Sequence, residues 1–187
     1  TATNVNYEVL ANGTGISAPT AQQWLSVLVT GGLVLLIEPF FNNALKRVIK
    51  APRMYFLDTG LCAYLTRWNS PEAMELGAMS GALFETWIVS EIYKGYINNG
   101  KRPPLYFYRD SNKKEIDLII NQNNTVYPIE IKKSAAPRDA IRNFSVLKPI
   151  EIEPTEADIF SGVAYLRTNI GTGAVICLAS DVLPIDN

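Results

Sequence analysis

Histidine is absent from this 187-residue sequence, and cysteine occurs only twice. The first absence removes Ser-His-Asp and Cys-His nucleophile systems, histidine general bases and histidine-rich zinc sites. The second leaves Cys62 and Cys177, far apart and in apolar surroundings. They can form one disulfide at most and never a four-thiolate zinc site, and the plain reading is two reduced core thiols. Long apolar runs are also lacking. The longest, residues 27–37, is broken by Thr30, Gly31 and Gly32, stopped by Glu38-Pro39, and too short to span a bilayer. No basic–apolar–small leader opens the sequence. A cytoplasmic protein without a membrane partner is therefore expected, and the opening Thr1 suggests a piece of a longer chain. Hydrolytic chemistry, if present, must come from carboxylates, lysines and a hard metal.

What is present is ordinary globular usage, 48% hydrophobic and 19% charged. The net charge of −1 conceals segregation: residues 101–150 sum to +5 and residues 151–187 to −5. The basic middle permits a polyanionic partner, and the acidic end argues against a wholly basic surface.

Residues 1–60 read as a small helical unit with a hairpin. Residues 5–12 permit a helix, and Gly13-Thr14-Gly15 breaks it. Ser17 is a good N-cap, Pro19 sits in the next first turn, and Ala21, Trp24, Leu25 and Leu28 recur at helical spacing. Gly31-Gly32 ends that helix. Residues 33–37 and 54–57 are strand-like, the first turned by Glu38-Pro39. This order predicts a winged helix-turn-helix, whose second helix presents its outer face to the major groove. Thr20, Gln23 and Ser26, with Gln22 at the margin, occupy that face and can bond base edges or phosphates. Lys46, Arg47, Lys50 and Arg53 have no acidic neighbour before Asp58 and can grip phosphates from the wing. The alternative is a protein-docking or oligomerising unit with a solvated polar face, since the helix itself carries no Arg or Lys.

Asp58-Thr59-Gly60 is the aspartic-protease tripeptide, but it occurs once, and those enzymes need two carboxylates sharing a proton. The plainer reading makes Asp58 or Thr59 a helix cap. Residues 61–80 read as a helical linker.

From residue 81 the order becomes α-β-β-β-α-β-β. A long helix covers residues 82–96, strands follow at 105–109, 115–120 and 125–132, a helix at 137–147, and strands at 162–167 and 174–179. Asp110 to Lys113 form the first hairpin turn. Alternation puts Asp117 opposite Ile116, Leu118 and Ile120, and puts Glu130 and Lys132 on one face with Ile129 and Ile131 on the other. A tight hairpin brings Asp117 beside Glu130. Two carboxylates and an ammonium on one face are costly unless a cation or anionic substrate completes them. Mg²⁺ or Mn²⁺ suits Asp117, Glu130 and the Ile131 carbonyl. Lys132 then orients or deprotonates water, or stabilises the phosphorane charge. Glu85, followed by Ile88, Val89 and Ile92 on an inward helix face, offers a third acid, or else is a first-turn glutamate favouring the helix start. Glu91 pairs with Lys94 at the surface. Pro128 lacks the N–H a ladder needs, so its strand is expected to be an edge or bulged.

Glu85, Asp117 and Glu130-Ile131-Lys132 together resemble the PD-(D/E)XK nuclease fold, with Ile116 where that motif has proline. Residues 16–25 (ISAPTAQQWL), 55–61 (YFLDTGL), 81–92 (GALFETWIVSEI), 107–118 (FYRDSNKKEIDL) and 127–134 (YPIEIKKS) resemble the C-terminal region of a bacterial and archaeal family of AAA-type ATPases. That resemblance implies an upstream ATPase domain as a partner within the same chain. No G-x4-G-K-[ST] loop occurs here, so this piece is expected to hold no ATP site.

The expectation is thus an α/β (α+β) chain: a winged helix-turn-helix at 1–60, a helical linker at 61–80 and a restriction-endonuclease-like domain at 81–187. Its reaction, if catalytic, is Mg²⁺-assisted DNA phosphodiester hydrolysis. Asp117 and Glu130 serve as ligands, Lys132 acts on water, and Glu85 assists. The alternative is a non-catalytic DNA- or protein-binding module regulating the ATPase, with homo-oligomerisation open. Fold alone does not decide between them.

Overall fold

The computed structural model describes residues 1–40, 51–152, 166–182 and 184. The chain is a mixed α/β structure built on a mixed sheet. In chain order the elements are β1 (Thr3–Asn4), α1 (Tyr7–Thr14), α2 (Ala18–Thr30), β2 (Val34–Pro39), β3 (Arg53–Phe56), α3 (Thr59–Leu65), α4 (Pro71–Leu76), α5 (Ser80–Asn98), β4 (Leu105–Arg109), β5 (Glu115–Gln122) and β6 (Thr125–Lys132). A 3-10 turn η1 (Arg142–Val146), β7 (Ile150–Ile152), β8 (Leu166–Ile170) and β9 (Ala174–Cys177) complete them. The strands run β1-β3-β2-β4-β5-β6-β8-β7, and β9 also pairs with β6.

Local chemistry sets the helix ends. The Asn6 side chain accepts from the N–H groups of Glu8 and Val9, and Gly15, at φ 70°, closes α1 in the left-handed conformation. Ser17 caps α2 through the Thr20 N–H, and Asp58 caps α3 through the Leu61 N–H at 2.9 Å. The inward stripe of α2 is Ala21 and Leu25, with Val29 packed on Val5 and Val34. Trp24 and Leu28, which recur with them at helical spacing, are 58% and 40% exposed. Among the described residues the helix packs mainly on α1 and β2, and so narrow a contact buries Ala21 and Leu25 and half-buries Val29.

Glu38-Pro39, expected to turn the hairpin, instead extends β2. Glu38 pairs with Tyr106 and Pro39 with Phe107 in parallel register, and the Phe40 N–H donates to the Phe107 carbonyl at 2.7 Å. This joins the sheet of the first sixty residues to that of the second half. Helix α5 packs on one face over a core containing Val89, Phe107, Leu118, Ile129 and Ile131. The other face buries Tyr108, Ile116, Ile119, Val126 and Leu147. Glu91 pairs with Lys94 at 2.8 Å on the exposed side of α5, as its i,i+3 spacing requires.

Three further expectations are corrected. Tyr106 faces Ile119 but Tyr108 faces Ile116, so β5 carries one extra residue between them, a bulge. Ile116 therefore lies with Ile119, while Leu118 packs on the opposite side. Pro128 is not on an edge. Along β6, β8 pairs with Thr125 and Val126 and β9 with Ile129 onward, so Pro128 falls where the neighbouring strand changes and its missing N–H coincides with a break in that ladder. The helix expected at 137–147 is only the short turn η1, because Pro137 opens the segment and Asp139 adopts φ 54°. Of the strand expected at 162–167, residues 162–165 lie outside the described residues. Cys62 is buried, Cys177 is half-buried, and both are free thiols. Among the described residues no helix is long and apolar enough to cross a membrane.

Candidate functional site: a buried carboxylate–cation cluster

The β5–β6 ladder runs from Gln122 opposite Thr125 to Leu118 opposite Ile129. One residue further, the Asp117 side chain takes over from the backbone, its Oδ2 accepting the Ile131 N–H at 2.9 Å. The same oxygen lies 3.4 Å from Lys132 Nζ. Lys132 reaches back along its strand face to Glu130 Oε1 at 2.5 Å. The pairing that alternation demands of residues 130 and 132 is thus present, and Lys132 bridges both acids. Ile131 enters through its N–H, which fixes the Asp117 carboxylate. The other Glu130 oxygen, Oε2, is buried without a hydrogen-bond partner among the described residues. Both acids are nearly inaccessible, at 6% exposure each.

Glu85 comes in from α5. Its Oε1 accepts from the Tyr55 hydroxyl at 2.8 Å and from Arg53 Nη1 at 3.4 Å. Arg53 is 2% exposed, and its guanidinium also bonds Glu115 and lies 4.8 Å from the Phe107 ring centre. Its Nη1 is 4.0 Å from Asp117 Oδ1, and its Nε donates to Asn4 at 3.4 Å. Glu115 in turn holds Arg109 at 3.2 Å.

Protonation follows from this crowding. Burial, then the nearby Asp117 charge, pushes Glu85 up to about 7, against the pull of Arg53 and the Tyr55 hydrogen bond. Burial and Asp117 likewise raise Glu130 to about 7, opposed by Lys132. For Lys132, burial works against the charge, but Glu130 and Asp117 outweigh it and hold the ammonium above its usual value. An ammonium so stabilised orients and neutralises; as a base it is poor.

The expected nucleic-acid residues separate. Gln22, Gln23 and Ser26 are exposed on α2. Thr20 is half-buried against the Ser17 hydroxyl at 2.8 Å, and the Ser26 hydroxyl donates to the Gln23 carbonyl. Lys46, Arg47 and Lys50 lie outside the described residues. Arg53 is corrected: it is buried at the start of β3, and its guanidinium faces carboxylates and not solvent. Sequence reasoning missed Tyr55 and Glu115 as members of the cluster. The available signal was the Arg53-x-Tyr55 alternation in an apolar strand, because a buried guanidinium requires an acidic partner.

A family model described as a domain of unknown function, DUF4143, matches residues 80–186. The chain belongs to this family. Asp117, Glu130, Lys132, Glu85 and Glu115 all lie in its DUF4143 segment. Arg53 and Tyr55 lie in residues 1–72, which match a second model, also a domain of unknown function, DUF8612. The uncharacterized proteins Mb2031c of Mycobacterium bovis and Rv2008c of Mycobacterium tuberculosis are each 29% identical over 128 residues, 68% of this chain. The chain spans 28% of the length of these curated relatives. No solved structure matches it.

Proposed function

We propose that the DUF4143 segment is a PD-(D/E)XK-like, Mg²⁺- or Mn²⁺-dependent domain that binds DNA and cleaves its phosphodiesters. In this reading residues 1–60 form a winged helix-turn-helix, and the whole is the C-terminal part of an AAA-type ATPase. The helix, three-strand meander and further strands from α5 to β9 support the arrangement, as do α1, α2 and the β2–β3 pair for the first unit. One observation carries the chemistry: among the described residues, Glu130 Oε2 is buried beside Asp117 without a hydrogen-bond partner. Burying an acceptor without a partner is costly, and a cation offsets that cost.

No three His, Cys, Asp or Glu side chains among the described residues converge closely enough to hold a metal alone. That fits Mg²⁺, which binds through one or two carboxylates and fills its remaining positions with water and phosphate oxygens. Asp117 and Glu130 would hold the ion, and Glu85, linked to Asp117 through Arg53, is the third acid of the reading. A divalent ion there would polarise the phosphoryl group and acidify water. The chain's own residues do the rest. The Ile131 N–H fixes the Asp117 carboxylate, and the Lys132 ammonium neutralises charge developing on phosphate.

Incubation of supercoiled and branched DNA with the protein and Mg²⁺ or Mn²⁺ is expected to give nicking that chelator abolishes. Lys132→Ala should reduce it by roughly 10²-fold or more, the usual effect of losing one charge-stabilising donor. Absence of nicking, or nicking indifferent to Lys132→Ala, would end the catalytic proposal.

A second reading is a non-catalytic DNA- or protein-binding module of the ATPase. Arg53 favours it, because a guanidinium already sits among Glu85, Glu115 and Asp117. DNA affinity measured against salt separates the two partner classes. Phosphate contacts release counterions and give a steep slope, and a flat slope points to protein.

A further inference from the structure

Asp117 Oδ2 is committed to the Ile131 N–H and to Lys132. The oxygen free of those two partners is Oδ1, where a divalent ion joining Asp117 would bind, and Oδ1 lies 4.0 Å from Arg53 Nη1. Mg²⁺ binds carboxylate oxygens at about 2.1 Å, so the ion would sit within a few ångströms of the guanidinium. Two cations that close, in a pocket of low exposure, repel strongly.

We infer that Arg53 is an internal counter-cation that occupies the acid cluster in competition with a divalent ion, so that strand β3 restrains the DUF4143 site. The inference rests on the metal-binding reading above and adds its regulation. Several features fit a built-in occupant. Arg53 is almost wholly buried, and its side-chain hydrogen bonds come from three elements: Asn4 on β1, Glu85 on α5 and Glu115 on β5. The Phe107 ring beneath it supplies a cation–π surface. Tyr55, two residues along the same strand, donates to Glu85 and keeps that carboxylate turned toward β3. Arg53 belongs to residues 1–72 and the acids to residues 80–186, so a movement of the first segment would change how readily the second accepts a cation.

Titration of Mn²⁺ into the chain by calorimetry tests this without reference to catalysis. Arg53→Gln should bind Mn²⁺ about tenfold more tightly than the wild type, a modest value for coupled sites, and Asp117→Asn should remove the gain. Circular dichroism establishes that each variant is folded. If Arg53→Gln does not fold, Arg53→Gln combined with Glu115→Gln removes the ion pair as a unit. That double variant should then exceed Glu115→Gln alone by the same factor. Unchanged or weaker Mn²⁺ binding without Arg53, while the wild type binds through Asp117, would overturn the competition and leave the metal-binding reading standing. If neither wild type nor Arg53→Gln binds Mn²⁺, the metal-binding reading falls, and the competition with it.

Discussion

Glu85 shows how a single buried acid links structure to pH. In the unfolded chain it titrates near 4.5, and in the folded chain at about 7. Between those values the folded protein keeps a proton that the unfolded chain has released. Its contribution to stability is therefore full below pH 4.5 and is lost as pH rises through 7. Glu130, raised for the same two reasons, acts with the same sign. The melting temperature followed by circular dichroism should accordingly fall by a few degrees between pH 5.5 and pH 8. Glu85→Gln keeps an acceptor for the Tyr55 hydroxyl while removing the titration, so it should flatten that dependence. A pH profile identical to the wild type's would mean that Glu85 is already ionised at neutral pH. The local part of this chemistry was legible in the sequence. Alternation put Glu130 and Lys132 together, and hairpin closure put Asp117 beside them. The partners of Arg53 were not legible. Glu85 and Glu115 lie 32 and 62 residues further along the chain, and only tertiary packing brings them to it.

Elements were readable where a few neighbouring residues decide them. Asp58 is such a case. Its carboxylate accepts the Leu61 N–H, and it explains Asp-Thr-Gly as a helix start with no need of a second copy. Asp58→Ala should cost about 1 kcal/mol, measured by urea unfolding, because an N–H at the helix start loses its partner. A change near zero would show that solvent satisfies that group equally well. Elements whose form depends on a distant strand were misread. The extra residue in β5 is defined only against β4, and the end of β2 is strand because Tyr106 and Phe107 pair with it. Glu38-Pro39 carries a genuine turn signal, overridden by that pairing. At Pro128 the missing donor was read correctly, but its consequence differs. The ladder breaks locally between β8 and β9 while β6 stays interior.

At the scale of the molecule, one sheet runs through two segments that match separate family models. Two kinds of contact that cross that line matter here. One is the parallel pairing of β2 with β4, extended by the Phe40 N–H to Phe107. The other is the Arg53 ion-pair network with Glu85 and Glu115. Breaking a buried pair costs about 3–5 kcal/mol, a large share of a domain's total stability. Neither segment can therefore open cheaply on its own. Urea unfolding followed by tryptophan fluorescence and by far-ultraviolet circular dichroism should give coincident, single transitions. The tryptophans suit the test, since Trp24 lies in the first segment and Trp87 in the second. In a Trp87→Phe variant, whose remaining tryptophans Trp24 and Trp68 both lie in residues 1–72, a fluorescence transition at lower urea than the loss of ellipticity would mean that the first segment detaches early. In that event Arg53 would leave the acid cluster before the second segment unfolds, and the cluster would be unlocked by partial opening rather than by exchange of cations within an intact sheet.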